Sequence, residues 1–404
     1  MLIKLAWRNV FRNKRRTFIT LMMIQFAVVL ATFLSALRFG IMDSQIENVV
    51  GGFKGYASIC DTGYVNEPII DRAISYTEAK GKLLIEKHKE IEAYSPRIIG
   101  GGSMSCGDKF KVIQVVGVYP DLEDSLTHLS QRLTKGRFLE GPGEVVLGSA
   151  LAERLKADLD SVVYVTGAGY HGNSANLMLK VVGIVKLPNI QENKRTCFVE
   201  MSEASEGFAM EGLVSGIALS FKDNSEATEI VKGMKSDFKG NEGIYSWDEI
   251  DEPLYMLVVV NDAANVIVTG MLYFIISFGL FGTILMMLSE RKKEFGVLMS
   301  IGMSKNRLGF LVFLENVFMA ILGTIIGFLV ALPLVYYFHY FPITLKGAEA
   351  EGMIKNGFEP VLRMSVDIGI FVWQAAIVLL MSILFSLYPI LKIHSMNEHK
   401  AMRS

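Results

Sequence analysis

The sequence predicts an α-helical membrane protein with four transmembrane helices and a large α+β extracytoplasmic domain inserted between helices 1 and 2. Three observations carry this prediction. Apolar residues make up 51% of the 404, and the mean hydropathy is +0.37, too high for an ordinary soluble protein. Four apolar runs reach the roughly 20 residues that a bilayer requires. They are residues 17–37, 263–289, 308–338 and 368–391, and Glu315 is the single charged residue among them. Between the first and second runs lie 225 residues with strand-like and helical patterns separated by turn residues, enough to bury a core of their own.

Taken in order, residues 1–16 hold Lys4, Arg8, Arg12, Lys14, Arg15 and Arg16 and no acid. Ile3, Trp7, Val10 and Phe11 share one helical face, with the arginines elsewhere. The segment reads either as an amphipathic helix lying in the inner membrane surface or as a plain basic anchor. Residues 17–37 exceed the apolar core of a secretory signal and no small-x-small cleavage site follows, so they read as an uncleaved span.

Residues 38–262 divide into an α+β lobe, 42–118 with 213–262, and an inserted β-rich lobe, 120–212. Strands are predicted at Lys109–Val118, Glu144–Leu147, Ser161–Thr166, Leu177–Val185 and Val214–Phe221. Helices are predicted at Thr77–Lys89, Ser149–Ala157 and Ser225–Phe238. Gly100, Gly101 and Gly102 are expected to form a turn between strands.

The second span, 263–289, leads into a short charged segment, 290–307, and then the third span, 308–338. Gly323 and Gly327 form a GxxxG pair there, which lets helices approach closely, either within the bundle or at a dimer face. Glu315 lies roughly 11 Å into this span at about 1.5 Å per residue. It reads either as an acid paired with a basic neighbour or as part of a proton relay. An outside loop, 339–367, the fourth span, 368–391, and a tail, 392–404, complete the chain.

The overall charge of −1 argues against a nucleic-acid binder that relies on global basicity. The distribution is more informative. Segments 1–16, 289–307 and 392–404 hold 14 basic and 3 acidic residues, a net of +11. Of the 40 Lys and Arg and 41 Asp and Glu, 26 basic and 38 acidic residues are left for the remainder, a net of −12. Lysine and arginine collect on the cytoplasmic side of a membrane, which places both termini and the 290–307 segment in the cytoplasm and the 38–262 domain outside.

No catalytic, cofactor-binding or metal site emerges. There is no GxxxxGK[ST] phosphate loop: Gly81-Lys82 is followed by Leu83 and lacks the upstream glycine. HExxH and GxSxG are absent and the six histidines are scattered. Cys60, Cys106 and Cys197 form no CxxC or Cys/His cluster. A Cys60–Cys106 disulfide is left open.

Segment 290–304 has a more specific pattern. It reads Glu290-Arg-Lys-Lys-Glu-Phe-Gly-Val-Leu-Met-Ser-Ile-Gly-Met-Ser304. This resembles the ERRxEIGxLRAxGxS coupling segment of the MacB/FtsX-like ABC permease family, with Glu290, Arg291, Glu294, Gly296, Leu298, Gly302 and Ser304 matching and Phe295 between them. The stretch from Leu5 to Arg16 resembles the family's N-terminal LAxRNLxRNKRR helix. Tyr388-Pro389 followed by Ala401-Met402-Arg403 resembles its C-terminal pattern, without the proline usual between the two pieces. Gly136-Arg137 and Gly143–Arg154 resemble its extracytoplasmic domain.

The resemblance implies a permease subunit of an ABC transporter, not itself an enzyme, in the cell inner membrane. A separate ATPase subunit, LolD-like and carrying ATP and Mg, would dock on Glu290–Ser304. A second permease chain, identical or paralogous, would complete the assembly. The chain is most similar to lipoprotein-releasing permeases of the LolC/LolE type. These extract lipoproteins from the outer leaflet of the inner membrane, surrounded by membrane lipid, and pass them to a LolA-like periplasmic chaperone by mechanotransmission. The place matching their chaperone-binding loop contains Gly167, Tyr170, His171 and Asn173, which also reads as a plain hairpin. The alternatives are an unfused MacB-like permease of a tripartite efflux system, whose ATPase is often fused at the N-terminus, and an FtsX-like regulator of cell-wall hydrolases, whose outside domain is usually much smaller.

Overall fold

A run of twenty or more uncharged apolar residues has one stable form in hydrocarbon, a helix that satisfies each backbone N–H within the segment. The computed structural model describes residues 2–12, 14–238, 240–355 and 360–395. The chain divides into two units, Met1–Asp43 with Val260–Thr344 and Val361–Ser404, and Ser44–Val259 with Leu345–Pro360.

The membrane unit is helical. Its helices are α1 (Leu2–Arg12), α2 (Lys14–Ile46), α3 (Glu252–Glu290), α4 (Lys292–Ser300), α5 (Lys305–Tyr340), α6 (Ile368–Phe385) and α7 (Tyr388–His394). Four stretches are long and apolar enough to cross a membrane: Thr17–Lys54, Glu252–Glu290, Lys305–Tyr340 and Ile368–His394. All four overrun the spans expected from hydropathy, two of them by well over a turn. The first continues past residue 37 to Ile46 and then through a π-helical turn, Glu47–Lys54. The helix expected from residue 263 begins at Glu252. Arg38, Asp43, Asp262 and their polar neighbours end the apolar run but do not end a helix, because arginine is a good helix former and an interior aspartate costs under about 1 kcal/mol. The edges expected at 38 and 262 therefore fall inside helices.

Between α5 and α6 the chain forms a small strand pair, Ile343–Thr344 with Val361–Leu362. It then passes the later part of α2, where the Ser365 N–H donates to the Ala36 carbonyl at 2.9 Å. Gly40 permits that approach, since a Cβ there would lie 2.4 Å from the Arg363 carbonyl oxygen. The Ala401-Met402-Arg403 piece lies outside the described residues.

The inserted domain is built on one ten-stranded sheet. Its strands are β1 (Ala57–Asp61), β2 (Ile91–Cys106), β3 (Lys109–Val118), β4 (Leu133–Gly136), β5 (Glu144–Gly148), β6 (Val162–Ala168), β7 (Ser174–Val185), β8 (Thr196–Glu200), β9 (Gly216–Phe221) and β10 (Glu242–Ser246). Their order is β10-β1-β9-β2-β3-β8-β5-β7-β4, and β6 pairs with both β2 and β7. The two lobes expected from the sequence occupy the two halves of this sheet, so they are not separate sheets. They join where β3 runs parallel to β8, Gln114 opposite Thr196 through Val118 opposite Glu200. The long β2 also bridges them, pairing with β9 at one end and β6 at the other.

The glycine run corrects an expectation. Gly100, Gly101 and Gly102 lie in the middle of β2 and make no turn. A Cβ on Gly100 would meet the Phe208 ring at 2.4 Å, and one on Gly102 would meet the Thr166 carbonyl oxygen at 2.7 Å. Gly100 and Gly102 are needed there because a ring and a neighbouring strand press against the backbone, whereas a Cβ on Gly101 would meet nothing within 4 Å.

Alternation along β2, β3, β6 and β7 buries Met104, Ile113, Val165 and Leu179 on one face. On the other face Phe110, Ser105, Tyr164 and Met178 stand in one row across four strands, and the three large side chains are exposed.

The three cysteines are free thiols. Cys60 lies within β1, opposite Gly216 and Gly243, whereas Cys106 lies at the far end of β2, opposite Lys109. Burial, with Asp61 adjacent, pushes the Cys60 thiol up to about 12, and burial also raises Cys197. Both therefore stay protonated and unreactive at neutral pH. Maleimide at pH 8 is expected to label Cys106 alone in the native chain and all three after denaturation, read by peptide mass spectrometry. Native labelling of Cys60 or Cys197 would contradict this assignment.

Candidate functional site

The chain must reverse between α3 and α5, and it does so through Arg291, α4 and a turn at Ile301–Ser304. Gly302 has φ +100°, a conformation that residues with a Cβ adopt only under strain. One face of α4 buries Phe295, Gly296 and Met299. Phe295 belongs to a cluster with Val10 of α1, Met287 of α3, and Leu308 and Val312 of α5, against which Leu298 is partly buried. The opposite face is solvent-facing and carries apolar groups: Val297 is 52% exposed and Ile301 79%.

A polar network runs through the base of this turn. Glu315 is 0% exposed and Arg291 4%, and the Arg291 Nη1 donates to Glu315 Oε2. Asn9 Nδ2 of α1 donates to Glu315 Oε1 at 2.7 Å. The Arg291 Nε donates to Glu294 Oε2 at 2.9 Å, and Arg12 Nη2 lies 3.6 Å from the same oxygen. The Arg291 guanidinium is also 5.2 Å from the Phe295 ring centre. Four elements are thus tied together: α1, the end of α3, α4 and α5. A buried ion pair adds little net stability because desolvation offsets its attraction. It does penalise any arrangement that separates the partners, so it holds α4 in one position relative to α5.

In the structure Glu315 is paired with a basic neighbour, Arg291. Among the expected coupling residues, Arg291, Glu294, Phe295, Gly296 and Leu298 gather around this network. Glu290 and Ser304 are exposed at the two ends. Sequence reasoning missed Asn9 and Arg12. Their available signal was the Arg-Asn-Val-Phe-Arg stretch, which was read for amphipathicity and not for partners.

Helix α1 packs Ala6 and Val10 inward and leaves Ile3, Trp7 and Phe11 exposed at i, i+4 and i+8. The Trp7 ring meets Phe318 of α5 edge-on at 5.4 Å. The Thr17 hydroxyl of α2 donates to the Val10 carbonyl of α1. Val10, placed by the sequence on one apolar face with Ile3, Trp7 and Phe11, is buried and faces the bundle.

Gly323 and Gly327 press against α2 of the same chain. A Cβ at either would lie 2.8 Å from Cβ of Ile24 or Val28 respectively. Gly323→Leu is expected to lower stability by roughly 1–3 kcal/mol through overpacking, measured by thermal denaturation in detergent. An unchanged midpoint would mean that this seam is loosely packed. Nearby, a cavity of about 20 Å³ is lined by Thr20, Thr283, Asn316 and Ser382. It is large enough for one water, and Asn316 Nδ2 beside it has no partner among the described residues.

The candidate chaperone loop is a short β6–β7 hairpin. Gly167 lies in β6, opposite Gly102 and Ala175, and not in the loop. Tyr170 N–H donates to the Phe208 carbonyl at 2.8 Å and His171 N–H to Asp71 Oδ1 at 2.6 Å. Asn173 Nδ2 donates to the Tyr170 carbonyl at 2.8 Å. The tip is thus tethered to the domain. Among the described residues, no group of three or more His, Cys, Asp or Glu could hold a metal ion.

Residues 17–236 match the MacB-like periplasmic core domain, and residues 266–397 match the FtsX-like permease C-terminal domain. The chain belongs to the MacB/FtsX-like ABC transporter permeases. Arg291, α4 and Glu315 lie within the second match, while Asn9 and Arg12 precede the first. This permease is 22% identical over 261 residues to an uncharacterized ABC transporter permease protein of Mycobacterium tuberculosis. That match covers 62% of the chain and 29% of the relative, so the permease spans less than a third of the relative's length.

Among solved structures, it is similar to the periplasmic region of MacB from Actinobacillus actinomycetemcomitans, at 16% identity and a TM-score of 0.34. That match covers 53% of the permease and 97% of the MacB region. The extracellular domain of the noncanonic ABC-type transporter YknZ from Gram-positive bacteria matches at 11% identity and a TM-score of 0.34, covering 47% and 98%.

Proposed function

We propose that this permease relays force from a separate ATPase to an extracellular substrate. Both termini and α4 face the cytoplasm of the inner membrane, and the ATPase, with its ATP and Mg, docks on Glu290–Ser304. A second permease chain, identical or paralogous, pairs with this one. The single observation behind this reading is the construction of α4. It presents Val297 and Ile301 outward while the buried Arg291–Glu315 pair fixes it to α5 and, through Asn9, to α1. A push on α4 is therefore passed to the membrane helices as a rigid movement.

The orientation has a direct test. In a cysteine-free background, Lys109→Cys is expected to react with an impermeant maleimide when only the outer face is accessible. Lys293→Cys is expected to react only after permeabilisation. The reverse pattern would overturn the topology.

For the substrate, the proposal is a lipoprotein drawn from the outer leaflet and handed to a periplasmic chaperone at the Tyr170–Asn173 hairpin. The neighbouring exposed row of Phe110, Tyr164 and Met178 favours a protein partner on this lobe. Depletion of the permease is expected to leave lipoproteins in the inner membrane. Unchanged lipoprotein sorting with raised drug sensitivity would instead favour a MacB-type efflux permease, a reading that the MacB-like core match favours.

A further inference from the structure

Within the extracellular domain, a cleft of about 300 Å³ lies over one face of the sheet. Its floor is made by Ser58 of β1, Gly216 and Ala218 of β9, Ile99 of β2 and Gln114 of β3. Ser58 stands opposite Ala218 and Ile99 opposite Val116, so these positions share a face. Serine, glycine and alanine at the centre leave the space that larger side chains would fill. Phe53, Trp247 and Ile250 form apolar walls.

Every cation lining the cleft is already held by a carboxylate. Lys54 Nζ is 2.5 Å from Asp251 Oδ2, Arg195 donates to Glu192 at 2.5 and 3.0 Å, and Arg97 donates to Glu123 at 2.7 and 2.8 Å. A charged ligand would have to break one of these pairs. The neutral polar groups are differently placed. The Gln114 amide, the Ser58 and Tyr64 hydroxyls and the Trp247 indole N–H line the cleft and have no side-chain hydrogen-bond partner among the described residues. Burial, with Cys60 nearby, pushes the Tyr64 hydroxyl up to about 12, which keeps it a donor at working pH. Apolar walls with a few convergent neutral donors and acceptors are the make-up of a small-molecule site.

We propose that this cleft binds an uncharged amphiphile, an apolar or aromatic body carrying amide- or hydroxyl-type groups that meet Gln114, Ser58, Tyr64 and Trp247. The proposal goes beyond the transport reading and does not depend on an ATPase partner. One wall is formed where the chain enters and leaves the domain. Lys54 closes the helical stretch continuous with the first span, and Asp251 precedes α3. The Lys54–Asp251 pair therefore clasps the two connections beside the bound molecule.

The test uses the full chain in lipid nanodiscs, with Trp7 and Trp373 replaced by phenylalanine so that Trp247 is the one remaining indole of three. Dansyl amide is the probe. Saturable energy transfer from Trp247 is expected, with affinity about tenfold weaker in Gln114→Leu and binding lost in Ser58→Phe, which fills the floor. The charged dansyl sulfonate is expected to bind at least about tenfold more weakly than the amide. Gln114 is half-buried and its leucine variant close in size, so this arm reads out even where Ser58→Phe fails to fold. Non-saturable transfer, equal affinity of the parent and Gln114→Leu for the amide, or tighter binding of the sulfonate would each overturn the proposal.

Discussion

Replacing Arg291 with methionine is expected to destabilise the membrane unit by about 3–5 kcal/mol, the usual cost of removing one member of a buried ion pair. Glu315 loses the Arg291 guanidinium while keeping its other contacts, the Asn9 amide among them, and it sits at zero exposure. Glu294 loses its hydrogen bond to Arg291 Nε at the same time. Thermal denaturation of the purified chain in detergent would measure the loss. The double variant Arg291→Met with Glu315→Leu removes both charges and is expected to recover much of that stability. It is not expected to recover ATPase stimulation, because the restraint between α4 and α5 is gone. Parent-like melting of Arg291→Met would show that the pair does not hold α4, and the relay proposal would fall with it.

The second large effect is expected at Ile301. An isoleucine exposed to 79% on a charged turn gains by being covered. Burying such a side chain contributes about 2–3 kcal/mol, so Ile301→Asp is expected to weaken ATPase binding roughly 30- to 150-fold. Val297→Asp on the same face should act in the same direction. Neither change touches the buried face of α4, so the melting temperature of the isolated chain should stay within error of the parent. Titration of the ATPase subunit onto the immobilised permease reads the first quantity and denaturation the second. Unchanged ATPase affinity in both variants would move the docking surface away from α4. Arg291→Met is expected to alter stability first and coupling as a consequence, whereas Ile301→Asp is expected to alter binding alone.

Much of the membrane architecture was legible because hydrocarbon imposes a local rule. Any segment that crosses must be apolar for about 20 residues and helical throughout, and both properties can be counted along the chain. Strand Lys109–Val118 was legible for a similar reason, since its extended pattern ends at the Gly107-Asp108 turn on one side and Pro120 on the other. The helix extensions to Ile46 and from Glu252 were less visible. Hydropathy reports where lipid ends, not where backbone hydrogen bonding ends.

The candidate site divides along the same line. Its position between the second and third spans, and the residue types in it, were readable from the charged segment at 290–304. Which acid meets which base was not. Glu315 lies 24 residues from Arg291 and 306 from Asn9, and no local period links positions so far apart. The glycines make the same point in two places. Gly100–Gly102 looked like a turn because flexible residues cluster in turns, yet all three lie inside a strand, where Phe208 and β6 press on Gly100 and Gly102. Gly323 and Gly327 fitted either a dimer seam or an internal one until Ile24 and Val28 were found against them.

By itself, the sequence determined four spans, a large inserted domain and a separation of charge from +11 to −12 between the two sets of segments. Each of these depends on composition within a window and on the dielectric contrast between lipid and water. Only the tertiary structure decided that one sheet joins both lobes, that Glu315 is an ion-pair partner and that α1 contacts Glu315 and Glu294 through Asn9 and Arg12. Those depend on contacts between residues distant in the chain, whose energies appear only once packing brings them within a few ångströms.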